Sequence, residues 1–484
     1  MTFNSWEFLL FYPIVALLYF ILPKKMKWPM LLVASYFFYA CYQADLIFLI
    51  VATTLVSFIA SHVIERAGKV WVKKLSLTVT LLVCFGVLFF YKYFNFLSGS
   101  VSGIIEMLGG APSRVELDLI LPVGISFYTF QTLSYVIDVY RGDVKAEKNF
   151  FFYALFVSFF PQLVAGPIER PGNLFPQLRE SHKFTAENFK KGSKHMLVGF
   201  FKKICVADLI SVYVNSVYNS PDEATALGVI IATSLFAVQI YCDFSGYTDI
   251  AIGCARIMGI RLMKNFDHPY RAESIKEFWS RWHISLSTWF KDYLYFPLGG
   301  SRCKKWRHLM NLMIVFLVSG LWHGAAWTFV IWGAIHGIYQ VIGTLTIKPR
   351  NRLLEKIGLS KDSLCVKITR RIITFILVTF AWLFFRANSI ADALSLLKTL
   401  VFGWGNTLAT FSAMGLNATA IITTVLSILT LIVLDSLLHY EDAPDGSDVL
   451  TKNGAFIYFI WIILFAWGLL LSKDMMSTFI YFQF

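Results

Sequence analysis

The phrase Ser319-Gly320-Leu321-Trp322-His323-Gly324 sets one imidazole inside Leu309–Ile347, a 39-residue stretch without a charged residue. An ionisable side chain at that depth is costly and marks a functional path more often than not. Apolar surroundings disfavour the charged form, and a histidine must be neutral to accept a proton. Glycines on both sides permit close backbone approach and a local break. Physics alone leaves two readings of His323 open: a general base, or a helix-packing histidine bonded to a neighbouring carbonyl.

Other histidines carry weaker signals. Ser274 and Glu277 match a capping box, so a helix is expected to begin there. Ile275, Phe278, Trp279, Trp282, Leu286, Trp289 and Phe290 recur every three to four residues and predict an amphipathic stripe through Phe290, with His283 on its apolar side. Read alone, His283 is better taken as a hydrogen-bonded structural histidine than as a catalyst. From His323 to His336 is thirteen residues, about 20 Å of rise in one unbroken helix and a different face, so His336 is expected to point away from His323. Asp267 precedes His268 and is a candidate to orient it. Asp243 and Asp249, in the phrase DFSGYTD, are expected to pair with basic loops or with a histidine, in a structural role before a catalytic one. Proline, glycine and hydroxyls in Pro122–Gln131 suggest a kinked helix or side chains bonded back to their own backbone. No P-loop, GxGxxG, HExxH or GxSxG is present, which removes nucleotide hydrolysis and metalloprotease chemistry. Seven cysteines without a CxxC pair argue against a metal site or a disulfide framework.

The elements that must position these groups are membrane helices. The 484-residue chain is 57% hydrophobic and 15% charged, against about a quarter charged for soluble domains. Runs at Leu46–Ile64, Leu119–Ile137, Asn149–Ile168, Ala224–Cys242 and Asn453–Ser472 each have the roughly 20 apolar residues a span requires. Leu309–Ile347 and Thr399–Leu434 are far longer than one span, so each is expected to be a hairpin or to contain an interfacial piece. With the shorter runs, about 10 to 12 crossings are expected. Pro161 and Pro167 break Asn149–Ile168, which is therefore read as re-entrant. Basic residues follow the first apolar run, which predicts an external N-terminus and no cleavable signal peptide. Leu97–Asp118 reads as an external loop, and the polar block Asp243–His308 as a cytoplasmic face without a span. The net charge of +13 fits such loops and calls for no nucleic acid. A single multi-pass domain over 1–484 is expected, without an appended soluble domain.

Five phrases then occur in order: LPVGISFYTFQTLSYVIDVYRG from Leu121, FFPQLVAGPIERP from Phe159, YCDFSGYTDIAIG from Tyr241, FDHPYRAESIKEFWSRWHISLSTWFKDYLYFPLGG from Phe266, and SGLWHGAAWTFVIWGAIHG from Ser319. Together they resemble the membrane-bound O-acyltransferase superfamily, in its bacterial branch of alginate and peptidoglycan O-acetyltransferase membrane subunits. The resemblance covers roughly Leu75 to Arg386. It implies an all-α polytopic fold with re-entrant and interfacial helices around a central tunnel. The invariant histidine of the family falls on His323 and its second active-site position on His283.

The resemblance further implies transfer of an acetyl group from a cytoplasmic thioester, acetyl-CoA or another acyl thioester, to hydroxyls of an extracytoplasmic polysaccharide. An extracytoplasmic acetyltransferase or esterase-like partner is expected to finish the transfer. No permanently bound cofactor and no metal are expected, and the location is the cytoplasmic (inner) membrane. D-alanyl transfer to teichoic acid is the alternative within the superfamily. A lipid or polysaccharide channel ranks third, because such a pore calls for charged residues along its spans and Leu309–Ile347 has none.

Overall fold

The computed structural model describes residues 1–441, apart from Ser113, Ala165 and Asn406, together with Phe479 and Ile480. The expected span Asn453–Ser472 lies outside the described residues. Within them every element is an α-, 3-10 or π-helix. Ala44–Arg66, Val70–Met107, Ala226–Ile257, Trp327–Lys356, Leu364–Arg386 and Ala418–Asp435 are long and apolar enough to cross a membrane, and Trp6–Ile21 is a shorter apolar helix. Their outward faces are apolar too. On Trp6–Ile21, Leu10, Ile14, Leu17 and Ile21 are exposed at helical spacing, while Phe8, Tyr12, Val15 and Tyr19 are buried. On Ala418–Glu441 the exposed set is Ile422, Leu426, Leu429 and Val433. An apolar outer face suits lipid and not water. The protein is a polytopic all-α membrane protein.

The described residues form two compact units. The first comprises Met1–Met196 with Thr248–Met263. Here the helix after Val70 does not stop near Leu97. It continues through a π-helical turn at Phe89–Tyr93 to Met107, so the following connection starts later than the sequence suggested. Pro122 and Gly124 precede the helix Ile125–Arg141 and do not kink it. Gly124 has φ of 73°, and a Cβ there would sit 2.5 Å from the Leu163 carbonyl oxygen, so only glycine fits. Asn149–Ile168 is broken as its prolines require. Phe150–Ser158 gives way to the short turn Phe160–Leu163, with Pro161 in its first turn. Nine helical residues rise only about 14 Å, half a hydrocarbon core.

The second unit comprises Leu197–Tyr247 and the described residues from Lys264 on. Leu309–Ile347 is a helical hairpin, Lys305–His323 and Trp327–Lys356, the first of the two arrangements its length left open. The arms touch through glycines. A Cβ on Gly320 would lie 2.3 Å from the Phe329 carbonyl oxygen, and one on Gly333 would lie 2.4 Å from that of Phe316. Small residues at such a crossing let backbones pack directly, which drives association where no hydrophobic effect operates. The polar block does not begin at Asp243. Residues Asp243–Ile257 continue the helix Ala226–Ile257, and Asp243 is buried. Its charge is matched by a lysine, as described next, which is why the helix tolerates it.

Candidate active site

His323 closes the first arm of the hairpin. Gly324 follows in extended conformation, and a Cβ there would collide with the Phe329 ring at 2.1 Å. Both flanking glycines thus do what their type predicts, one at the crossing and one at the break. The His323 ring is buried, 5.0 Å edge-on from Trp332 and 5.5 Å from Phe385.

The amphipathic segment is two helices where one was expected. Ser274 caps Ile275–Arg281 by accepting the Glu277 N–H, and Glu277 accepts the Glu273 N–H, so the capping box is present in modified form. The chain then breaks at His283, which takes φ of 43° before Ile284–Phe290 begins. A left-handed histidine is uncommon and points to tertiary contacts that hold it. Asn265 supplies them. Its Oδ1 accepts from the Ser285 N–H at 3.2 Å and the Ser285 hydroxyl at 2.9 Å, and it lies 3.1 Å from His283 Nδ1. Because backbone N–H groups only donate, the amide oxygen is assigned, and His283 Nδ1 carries the proton. Nε2 then presents the lone pair. Burial pushes the His283 pKa down to about 3, so the ring is neutral at physiological pH.

The two predicted site histidines belong to one aromatic assembly. From His283 it runs through Phe244 at 4.7 Å, Phe266 at 5.1 Å, Trp282 at 5.1 Å, Trp382 at 5.2 Å and Trp332 at 5.7 Å to His323 at 5.0 Å, each distance measured between successive ring centroids. His336 belongs to it as well. The hairpin turns the chain back, so His336 packs 5.0 Å from Trp332 and 6.1 Å from Phe316, and does not lie far along one helix. Its Nδ1 accepts the Trp279 indole N–H at 3.2 Å. Sequence reasoning missed Trp332, Trp382 and Asn265. Trp332 and His336 stand four apart on one helix, a spacing that signals a shared face once the hairpin is recognised.

A second buried group holds charge. Lys203 Nζ lies 2.8 Å from Asp208 and 2.7 Å from Asp243, whose other oxygen accepts the Ile480 N–H at 2.7 Å. Lys202 Nζ is 2.8 Å from Asp435, which also accepts from the Tyr241 hydroxyl at 2.6 Å and lies 3.0 Å from His268 Nδ1. His268 is therefore oriented by Asp435, and its sequence neighbour Asp267 faces Lys264. Gly246 has room for no Cβ, which would come 2.8 Å from the Gly199 carbonyl oxygen and 3.2 Å from Lys203 N. Asp249, in the first unit, lies 3.8 Å from His195. The DFSGYTD carboxylates thus pair one with a helix-borne lysine and the other with a histidine. Adjacent lysines inside the apolar phrase GFFKKICVADLI were the available signal for this network.

The described residues hold no group of three or more metal-ligating side chains. His323 thus stands buried at the hinge of an uncharged membrane hairpin, and His283 is buried with its proton held on Nδ1 by Asn265, a pair of buried imidazoles in a membrane protein.

Residues 145–390 match the membrane-bound O-acyltransferase family. The chain belongs to that family and is a multi-pass membrane O-acyltransferase. It is 36% identical to the "probable alginate O-acetylase AlgI" of Azotobacter vinelandii, with all of both chains covered. It is also 36% identical to the peptidoglycan O-acetyltransferase of Helicobacter pylori, over 81% of this chain and 78% of that one. More distant is the teichoic acid D-alanyltransferase of Bacillus subtilis, at 31% identity over 47% of this chain and 60% of the other.

Proposed function

We propose that the protein is an O-acetyltransferase that takes an acetyl group from a cytoplasmic thioester, with acetyl-CoA as the donor, and passes it toward hydroxyls of an extracytoplasmic polysaccharide through a partner protein. The observation that carries this reading is the burial of His323 at the hairpin hinge, at the position where the family's invariant histidine falls. The named acetyltransferases align over far more of the chain than the D-alanyl enzyme does, which favours acetyl. The channel reading loses support for a separate reason. Lys202 and Lys203 meet carboxylates at 2.8 Å or less, so they are consumed in structure.

His323 acts as the base that removes the proton from the attacking hydroxyl. His283 orients that hydroxyl through its Nε2 lone pair. Its tautomer suits accepting a hydrogen bond and not donating one to an oxyanion. The test is incubation of purified protein, with and without a polysaccharide and a candidate partner, with labelled acetyl-CoA. Label on polymer or partner is expected. Label transferred only from a D-alanyl thioester would replace this reading with its rival.

The stretch Met263–His308 is proposed to face the cytoplasm, with Arg302, Lys304, Lys305 and Arg307 near donor phosphates. Lys304 is exposed. In a background lacking the exposed Cys41 and Cys365, Lys304→Cys should resist a membrane-impermeant thiol reagent in intact cells and react after permeabilisation. Efficient labelling from outside would invert the orientation.

A further inference from the structure

Around His323 the described residues leave an excess of one kind of polar group. The indole N–H groups of Trp282, Trp332 and Trp382 and Nε2 of His336 are all buried without a hydrogen-bond partner among the described residues. Trp282, Trp332, Trp382 and His336 are fully buried. The tautomer of His336 follows from its neighbour. An indole can only donate, so His336 Nδ1 is the acceptor from Trp279 and the ring proton sits on Nε2. All four groups are therefore donors.

A buried donor left unmade costs about 1–3 kcal/mol, and native proteins match nearly all of theirs. Four in one assembly of touching rings call for a guest that only accepts. Phe316 packs on His336 and Phe385 on Trp332, with Phe329 against Phe385, so the setting is apolar and favours a short acyl chain over a charged guest. Trp332 and His336 lie on one helix face with ring centroids 5.0 Å apart, and Trp332 is in edge contact with His323. We propose that the Trp332 indole N–H and the His336 Nε2–H form the site that holds the carbonyl oxygen of the acyl group during transfer, with Trp382, stacked on Trp332, beside it. This rests on the reading of His323 as the base for acyl transfer.

The step balances without any further reactant. The acceptor hydroxyl oxygen forms a bond to the thioester carbonyl carbon while its proton passes to His323. The carbonyl π pair moves onto oxygen, where the two N–H groups meet the new negative charge. On collapse that pair re-forms C=O, the C–S bond breaks, and the thiolate takes the proton from His323. A thioester and an alcohol become an ester and a thiol.

The experiment uses the full chain in membrane vesicles with labelled acetyl-CoA as varied substrate, normalised to folded protein. Trp332→Phe and His336→Phe each keep an aromatic ring and delete the donor. Each is expected to lower the saturated rate about 100-fold, in the range for losing one oxyanion donor, with the half-saturating donor concentration changed less than about threefold. His336→Gln offers an amide N–H close to the position of Nε2–H and should recover most of the rate. A role in packing alone predicts no such rescue. If His336→Phe does not fold, Trp332→Phe and His336→Gln still decide. Saturated rates of the Phe variants within about threefold of the parent, or a folded Gln variant as inactive as the loss of a donor predicts, would overturn the proposal. His323→Ala serves as the reference. Activity in that variant would sink the base assignment, whereas an inactive His323→Ala beside active Phe variants would sink the donor site alone.

Discussion

Replacing His323 by alanine is expected to stop acetylation of the cell-surface polymer while leaving the protein inserted and folded. Loss of a general base lowers a rate by about a hundred- to ten-thousand-fold. Folding should survive because the hinge is set by backbone packing of Gly320 and Gly324 against Phe329 and Gly333, which the substitution does not touch. The lost imidazole leaves a cavity beside Trp332 and Phe385, so a modest fall in melting temperature is expected. The measurement is polymer acetylation per unit of folded protein in the membrane. His283→Ala should also impair transfer, but less completely, since it orients and does not abstract. It carries a structural penalty as well, because Asn265 loses the Nδ1–H donor and an unusual backbone conformation loses its anchor. Separating the two effects requires the same normalisation.

Lys203→Met is expected to fail at an earlier stage, in folding. The substitution removes the ammonium that Asp208 and Asp243 both face in a buried space, at 2.8 and 2.7 Å. Removing one partner of a buried ion pair costs about 3–5 kcal/mol, a large share of the stability of most proteins. The predicted result is a sharp loss of folded protein in the membrane and a lower melting temperature in detergent. Neutralising the carboxylates in the same chain (Asp208→Asn with Asp243→Asn) should restore part of the yield, because the two buried carboxylates that shared Lys203 then no longer carry charge. A Lys203→Met variant that accumulates and melts like the parent would show that the network contributes little.

These two effects also mark what the sequence could show. The hairpin at Leu309–Ile347 was legible as one of two ways to house an uncharged run much longer than one span, and the glycines beside His323 allowed a break there. The cap at Ser274 was legible from four residues. The break at His283 was not. The heptad-like stripe through Phe290 is continuous, and only Asn265, distant in sequence, explains why the helix stops. His336 was misplaced for a related reason, since its distance from His323 was reckoned along one helix and the fold brings it back across the hinge. Asp243 stands at the head of a charge-rich stretch that reads as polar, yet it lies inside a helix. Its lysine lies forty residues upstream, and no local pattern connects the two. Asp435, which displaces Asp267 as the partner of His268, is further away still. Periodicity reports which face of an element is apolar, whereas the partner that permits a buried charge or a left-handed residue belongs to the tertiary fold.

The most direct test of the account uses inverted membrane vesicles, whose cytoplasmic face is outward, with polysaccharide acceptor and partner enclosed in the lumen. Labelled acetyl-CoA is added outside. The account predicts that label reaches the enclosed polymer when the vesicles carry the intact chain and falls at least about a hundredfold when they carry His323→Ala at the same folded amount. Equal labelling by the two, or labelling that requires the donor to be inside, would contradict it.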